Sequence, residues 1–141
     1  MTKKEHAEEM FHGGFNCATS VLVSFCEEYD LEPETAAKLA CGLGGGCGVG
    51  DICGAVSGAV LVVGLKHGQY IPEDSGAKRN CYAKTSQFIG SFKDRYGALT
   101  CRDLLRSGVT AEDDKEAELQ KRSFCSGLVG SCVEILEELG Y

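Results

Sequence analysis

Apolar residues recur every three to four positions along almost the whole of this chain, and no stretch alternates apolar with polar residues at period two. The first pattern buries one face of a helix, whereas a half-buried strand would need the second. The 141 residues therefore read as all-α, a single-domain helical bundle over residues 1–141.

Caps and stripes place the helices. Thr2-x-x-Glu5 is a capping-box pattern opening a helix to Phe11, with Ala7, Met10 and Phe11 on one face. Asn16 to Tyr29 carries Ala18, Val21, Leu22, Phe25 and Tyr29 at helical spacing. Pro33 to Leu43 follows, with proline at an early position and Gly42 and Gly44 as its stop. After a glycine-dense loop, Gly44 to Gly50, the segment from Ile52 to Lys66 is apolar nearly all round and is expected to be the buried central helix. Gly54, Ala55, Ser57, Gly58 and Ala59 keep its first half thin, so another backbone can lie close, within the chain or across a homodimer. Pro72 to Asp74 reads as a turn, and a long helix from Ser75 to Tyr96 should face Thr85, Phe88, Ile89, Phe92 and Tyr96 inward. Short helices are expected over Thr100 to Arg106 and Ala111 to Lys121. A last one, Phe124 to Leu139, carries a stripe of Leu128, Val129, Cys132, Ile135, Leu136 and Leu139.

Lys and Arg number 14 against 21 Asp and Glu, a formal charge of −7, which gives no footprint for binding nucleic acid or an anionic lipid surface. The opening MTKKEHAEEM has no apolar signal region, and the longest apolar run, Ala55 to Leu65, is about half a bilayer span. The expectation is a soluble, cytoplasmic protein with neither a nucleic-acid nor a membrane partner. Thiols stay reduced in that compartment, and the nine cysteines are odd in number. Metal binding or redox chemistry accounts for them better than a disulfide framework does.

No C-x-x-C occurs, which removes thioredoxin-like dithiols, zinc ribbons, bacterial ferredoxin runs and covalent c-type haem attachment. Position is more telling. Cys17 follows Asn16, Cys53 follows Asp51 by two, Cys101 follows Thr100 and Cys125 follows Ser123 by two, so each falls in the first turn of a different expected helix. There the backbone N–H groups lack partners and the macrodipole places about half a positive charge. A thiolate is stabilised by both, with its pKa drawn below the free value of about 8.5. Four converging helix starts would supply about two units of positive charge. That would balance the formal −2 of four thiolates on Zn(II) or on an oxidised iron–sulfur cluster.

Cys26, Cys81 and Cys132 sit in or beside apolar stripes and read as packing. Cys41, near a helix end, stays open. Cys47 lies among glycines where no stripe accounts for it, and reads as an exposed thiol, a resolving cysteine or an extra ligand. The glycine loop lacks the lysine and the preceding strand of a phosphate cradle. Its glycines suit close approach of backbone to a compact cofactor or a neighbouring helix, or a plain connector. His6, His12 and His67 are scattered, and the carboxylates of residues 112–116 and 134–138 read as solvated helix faces. No Ser-His-Asp or Cys-His arrangement stands out to carry a hydrolase.

Four segments together resemble, over the whole chain, the family named for its spaced C-GCAxxG-C-C cysteines, described as redox-active proteins of about this length. They are Phe15-Asn16-Cys17-Ala18, Cys53-Gly54-Ala55-Val56-Ser57-Gly58, Cys101-Arg102-Asp103-Leu104-Leu105 and Cys125-x3-Val129. The extra thiols Cys47 and Cys132 depart from that pattern. The resemblance implies redox activity without naming a reaction. The related split-Soret cytochromes join a similar four-cysteine domain to c-type haem and imply an iron–sulfur cluster at it; with no C-x-x-C-H in this chain, haem is not implied.

Three functions follow as expectations. In the first, Cys17, Cys53, Cys101 and Cys125 ligate a [2Fe–2S] or [4Fe–4S] cluster and the domain passes electrons to a redox partner protein. In the second, the same cysteines, with or without Cys47, cycle between dithiol and disulfide. In the third, they form a structural Zn(Cys)4 site, or the chain is an interaction module with no cofactor.

Overall fold

The computed structural model describes all 141 residues. Side-chain caps start most of the helices. Thr2 and Glu5 close a reciprocal capping box, with both hydrogen bonds at 3.1 Å, at the head of α1 (Lys3–His12). Asn16 Oδ1 accepts from the Thr19 N–H at 3.0 Å to start α2 (Cys17–Cys26). Pro33 opens α3 (Pro33–Cys41), and α4 spans Gly54–His67. Asp74 caps α5 (Ser75–Tyr96), Thr100 caps α6 (Cys101–Gly108) and Asp113 caps α7 (Asp114–Glu138). No strand forms; one isolated antiparallel bridge joins Ile52 to Thr100.

The chain is an all-α bundle. Helix α2, with seven of its ten residues buried, packs on α1, α3, α4 and α7, while α4 lies against α2, α5 and α7. Phe25, Phe88, Phe92, Leu22, Leu104, Ile135 and Leu136 fill the space between them and are fully buried. The thin half of α4 is used inside the chain. Gly58 lies against the backbone of Ala18, where a Cβ would come within 2.6 Å of the Ala18 carbonyl oxygen. Of the inward set expected for α5, Phe88 and Phe92 are fully buried, while Thr85, Ile89 and Tyr96 are partly covered. No helix is long and apolar enough to cross a membrane.

One expectation fails. The two helices read at 111–121 and 124–139 are a single helix of 25 residues, α7. Ser123, two residues before Cys125, is an interior residue, because Lys121, Arg122, Ser123 and Phe124 all tolerate helix and no Gly or Pro interrupts them. The cap role falls to Asp113 instead. Gln120 pins the loop ahead of it, its Oε1 accepting from the N–H groups of Thr110 and Ala111 at 3.0 and 2.9 Å.

Candidate functional site

The beginnings of α2, α4 and α6 meet at one end of the bundle, and α7 passes alongside them. Cys17 is the first residue of α2, Cys101 the first of α6, and Cys53 the residue immediately before α4. The Ile52–Thr100 bridge ties two of these starts together: the Cys53 N–H donates to the Leu99 carbonyl at 2.8 Å and the Cys101 N–H to the Asp51 carbonyl at 2.7 Å. Cys17 Sγ sits over Gly54, whose missing Cβ leaves the space that the sulfur occupies. Asn16 holds this corner twice. Besides capping α2, its Nδ2 donates to the Cys41 carbonyl at 2.7 Å, and its side chain packs on Gly44.

Cys17, Cys53, Cys101 and Cys125 line one cavity of about 210 Å³. Phe11, Leu104, Leu105 and Leu128 make most of its remaining wall apolar, and Lys121 is the one charged side chain on it. Cys125 reaches it from the interior of α7, so three helix starts converge there and not four. Their dipoles supply about one and a half positive units, and the Lys121 ammonium adds one. Lys121 escaped the sequence reading because the helix was divided between it and Cys125. On an unbroken helix the two stand four apart on one face.

Cys53, Cys101 and Cys125 are not low-pKa thiolates. Burial pushes Cys53 from an ordinary 9 up to about 12, against the Val56 and Ala55 amides that favour its ionised form. Burial likewise raises Cys125 to about 11, with the neighbouring Cys17 and Cys101 adding and Lys121 opposing. Cys101 is raised for the same first reason, with Cys17 adding. Desolvation thus outweighs the helix starts, because an apolar wall penalises charge more than two or three amides reward it. At neutral pH these three are neutral thiols.

The other cysteines lie elsewhere. Cys26 is buried and donates to the Val23 carbonyl at 3.2 Å, and Cys81 packs on the core. Cys132 is fully buried behind the site, raised well above the ordinary range by burial and then by the nearby Cys53 and Cys17, but does not line the cavity. Cys41 and Cys47 are exposed. Cys47 belongs to a left-handed run, with φ of +64, +62, +58 and +73° from Gly45 to Gly48. Its Cβ costs about 1 to 2 kcal/mol in that conformation. Gly45 brings this run to the cavity wall.

A single zinc ion would require sulfurs about 2.3 Å from one point. No group of three or more Cys, His, Asp or Glu side chains stands close enough to hold one ion. The cavity is far roomier than the 10 to 15 Å³ that a water needs. No curated protein and no solved structure matches the chain. The sequence model of the family described as "Putative redox-active protein (C_GCAxxG_C_C)" matches residues 15–139, and the chain belongs to that family.

Proposed function

We propose that the chain binds an iron–sulfur cluster through Cys17, Cys53, Cys101 and Cys125 and exchanges single electrons with a redox partner protein. The observation that carries this reading is the shared cavity: four thiols from four segments line one largely apolar space. Four thiolates are the usual complement for either common cluster, which when bound supplies a one-electron couple. The chain does the rest. Asn16 and Thr100 fix the first turns that carry Cys17 and Cys101, and the bridge at Ile52 sets Cys53 beside Cys101. Leu104, Leu105 and Leu128 make the wall around the sulfurs largely apolar, and the helix starts with Lys121 would offset the negative charge. Membership of a family described as redox-active supports the reading in its general form.

Thiol exchange is less well served by this site, because its raised thiols are protonated at neutral pH and the thiolate is the nucleophile. Metal binding overcomes the same protonation by expelling the protons.

Anaerobic reconstitution with ferrous iron and sulfide tests the proposal. Bound iron, acid-labile sulfide and broad visible absorption that bleaches on reduction are expected. Alanine at any one of the four positions should lower the iron bound, while Cys26→Ala should leave it unchanged. A colourless product without iron would overturn the reading. Stoichiometric zinc without a redox signal would replace it by a structural role.

A further inference from the structure

Helices α2 and α4 both start at the thiol cavity and run side by side, with Gly58 on Ala18, so they finish together at the opposite end of the bundle. The turn Glu27–Tyr29 follows α2 there. Helix α5 returns from the same end, where Asn80 Nδ2 lies 3.4 Å from His67 Nδ1. Tyr141 sits among them: its ring meets His67 edge-on at 5.6 Å, and Lys66 Nζ stands 5.3 Å from its centre. Burial raises the Tyr141 hydroxyl and the neighbouring Tyr29 and Cys81 add to it, so the turn and the first half of α5 both border this ring.

Charge is segregated at this end. Helix α5 carries Lys78, Arg79, Lys84, Lys93 and Arg95 against Asp94 alone, in a chain whose formal charge is −7. Lys78, Arg79 and Lys84, in its first half, join no ion pair within the chain. His67 registers the local excess: burial first, then Lys84 and Lys66, hold its pKa below the ordinary value. Residues 27–34 carry five carboxylates and no cation. Of these, Glu27, Asp30 and Glu32 are exposed and unpaired. The same end also bears four of the ten large apolar side chains left exposed, Leu65, Tyr70, Ile71 and Tyr82, with Tyr70 91% and Tyr82 64% accessible. Gln69 braces the turn that presents Tyr70, its Nε2 donating to the Ile71 and Pro72 carbonyls at 3.1 Å.

We infer that this end is a docking surface for a second copy of the chain, in a two-fold dimer that sets the first half of α5 of each copy against residues 27–34 of the other. A two-fold interface puts the same patch on both sides, so the patch must complement itself. A surface with cations beside carboxylates does so, because each sign meets its opposite across the axis. A foreign acidic partner or an extended polyanion would suit Lys78 and Arg79 but would be repelled by Glu27, Asp30 and Glu32 at the same end. The dimer would also cover Tyr70 and Tyr82, and tyrosine and arginine are residues that interfaces favour. The net −7 of each copy opposes association only weakly, since salt screens charges beyond about 8 Å while the facing pairs are in contact. The thiol cavity lies at the other end, so this inference stands apart from the cluster reading.

Sedimentation equilibrium of the full-length, cluster-free chain tests it, under a thiol reductant that prevents cross-linking through the exposed Cys41 and Cys47. A reversible monomer–dimer equilibrium is expected. Lys78→Glu/Arg79→Glu should weaken the dimer by about tenfold or more, and so should Glu27→Lys/Glu32→Lys, because each pair of changes turns attraction into repulsion at both halves of the interface. An equimolar mixture of the two variants should dimerise as the wild type does, since the new carboxylates of one face the new lysines of the other. All four side chains are exposed, so both variants should fold, with helix content checked by circular dichroism. A wild-type chain that stays monomeric at every concentration would overturn the inference, and a polyglutamate peptide binding to that monomer would assign the face to a foreign acidic partner. A dimer that both variants leave intact, or two variants that fail to recover on mixing, would overturn it equally.

Discussion

Gly58→Ala tests the contact on which the site's geometry depends. In wild type the Gly58 Cα faces the backbone of α2, and a Cβ there would lie 2.6 Å from the Ala18 oxygen and 3.1 Å from its Cα. Backbone atoms cannot swing aside, so α2 must shift away from α4. Overpacking of this kind costs about 1 to 3 kcal/mol. Alanine returns about 0.5 to 1 kcal/mol through its better helix propensity. The net loss runs from about 0 to 2.5 kcal/mol and centres on about 1 kcal/mol, which is about 2 to 6 °C in Tm for a chain of this size. Gly64, in the same helix, supplies the control, because nothing lies within 4 Å of the Cβ it lacks. Gly64→Ala should therefore stabilise by about 0.5 to 1 kcal/mol. Urea and thermal unfolding of the cluster-free chain measure both without linkage to a cofactor. Ala18 directly follows Cys17, so the shift in Gly58→Ala should also lower the iron bound on reconstitution. If Gly58→Ala gains as much stability as Gly64→Ala, α2 and α4 do not meet backbone to backbone and the argument fails.

The raised thiols give a pH signature. Cys53 holds its proton to about 12 when folded and loses it near 9 when unfolded, so its contribution is complete below pH 9 and is lost between 9 and 12. At pH 10 the cluster-free chain should have lost about 1.4 kcal/mol from Cys53 alone, with Cys125 acting in the same direction. A urea midpoint that stays level from pH 8 to pH 10, or a slope unchanged in Cys53→Ala, would refute it. Because ligation expels protons, cluster uptake should strengthen from pH 6 to pH 8, and an iron titration with no pH dependence would contradict neutral ligand thiols. Asn16→Ala and Thr100→Ala each remove a cap and should cost about 1 kcal/mol. They should also lower iron retention more than Asp74→Ala, which uncaps α5 away from the cavity, as metal analysis after gel filtration would show.

What could be read from the sequence was local. Thr2 with Glu5, and the caps at Asn16 and Thr100, are decided by residues three apart, and the structure places each where the pattern does. The start of α7 is also local, but Asp113 and Ser123 compete for it. The winner is set partly by Gln120 reaching back to the loop at Thr110 and Ala111, a contact that no periodicity reveals. The tie between Cys53 and Cys101 rests on a single bridge between segments far apart in sequence. The glycine-dense loop signalled unusual backbone, yet a cysteine in left-handed conformation at position 47 could not be inferred from glycines around it.

The same limit explains why Cys17, Cys53 and Cys101 could be placed at helix starts while the protonation of Cys53 and Cys101 could not be read. A helix start favours a thiolate, and that much follows from Asn16 or Thr100 standing before a cysteine. Whether the thiolate forms depends on what closes over it, and here Leu104, Leu105 and Leu128 come from two helices that sequence adjacency does not connect to Cys53. Their burial of the sulfur outweighs the amides of Ala55 and Val56 and leaves the thiol neutral. On the cluster reading, Cys53 and Cys125 would lose their protons only on ligation, with Lys121 and the helix starts offsetting the charge. Lys121→Gln separates the two contributions. It should weaken iron retention while Cys53, for which burial and not Lys121 dominates, keeps its raised pKa in a thiol titration. A drop in the Cys53 pKa would show that the wall had opened and that desolvation was not the controlling force.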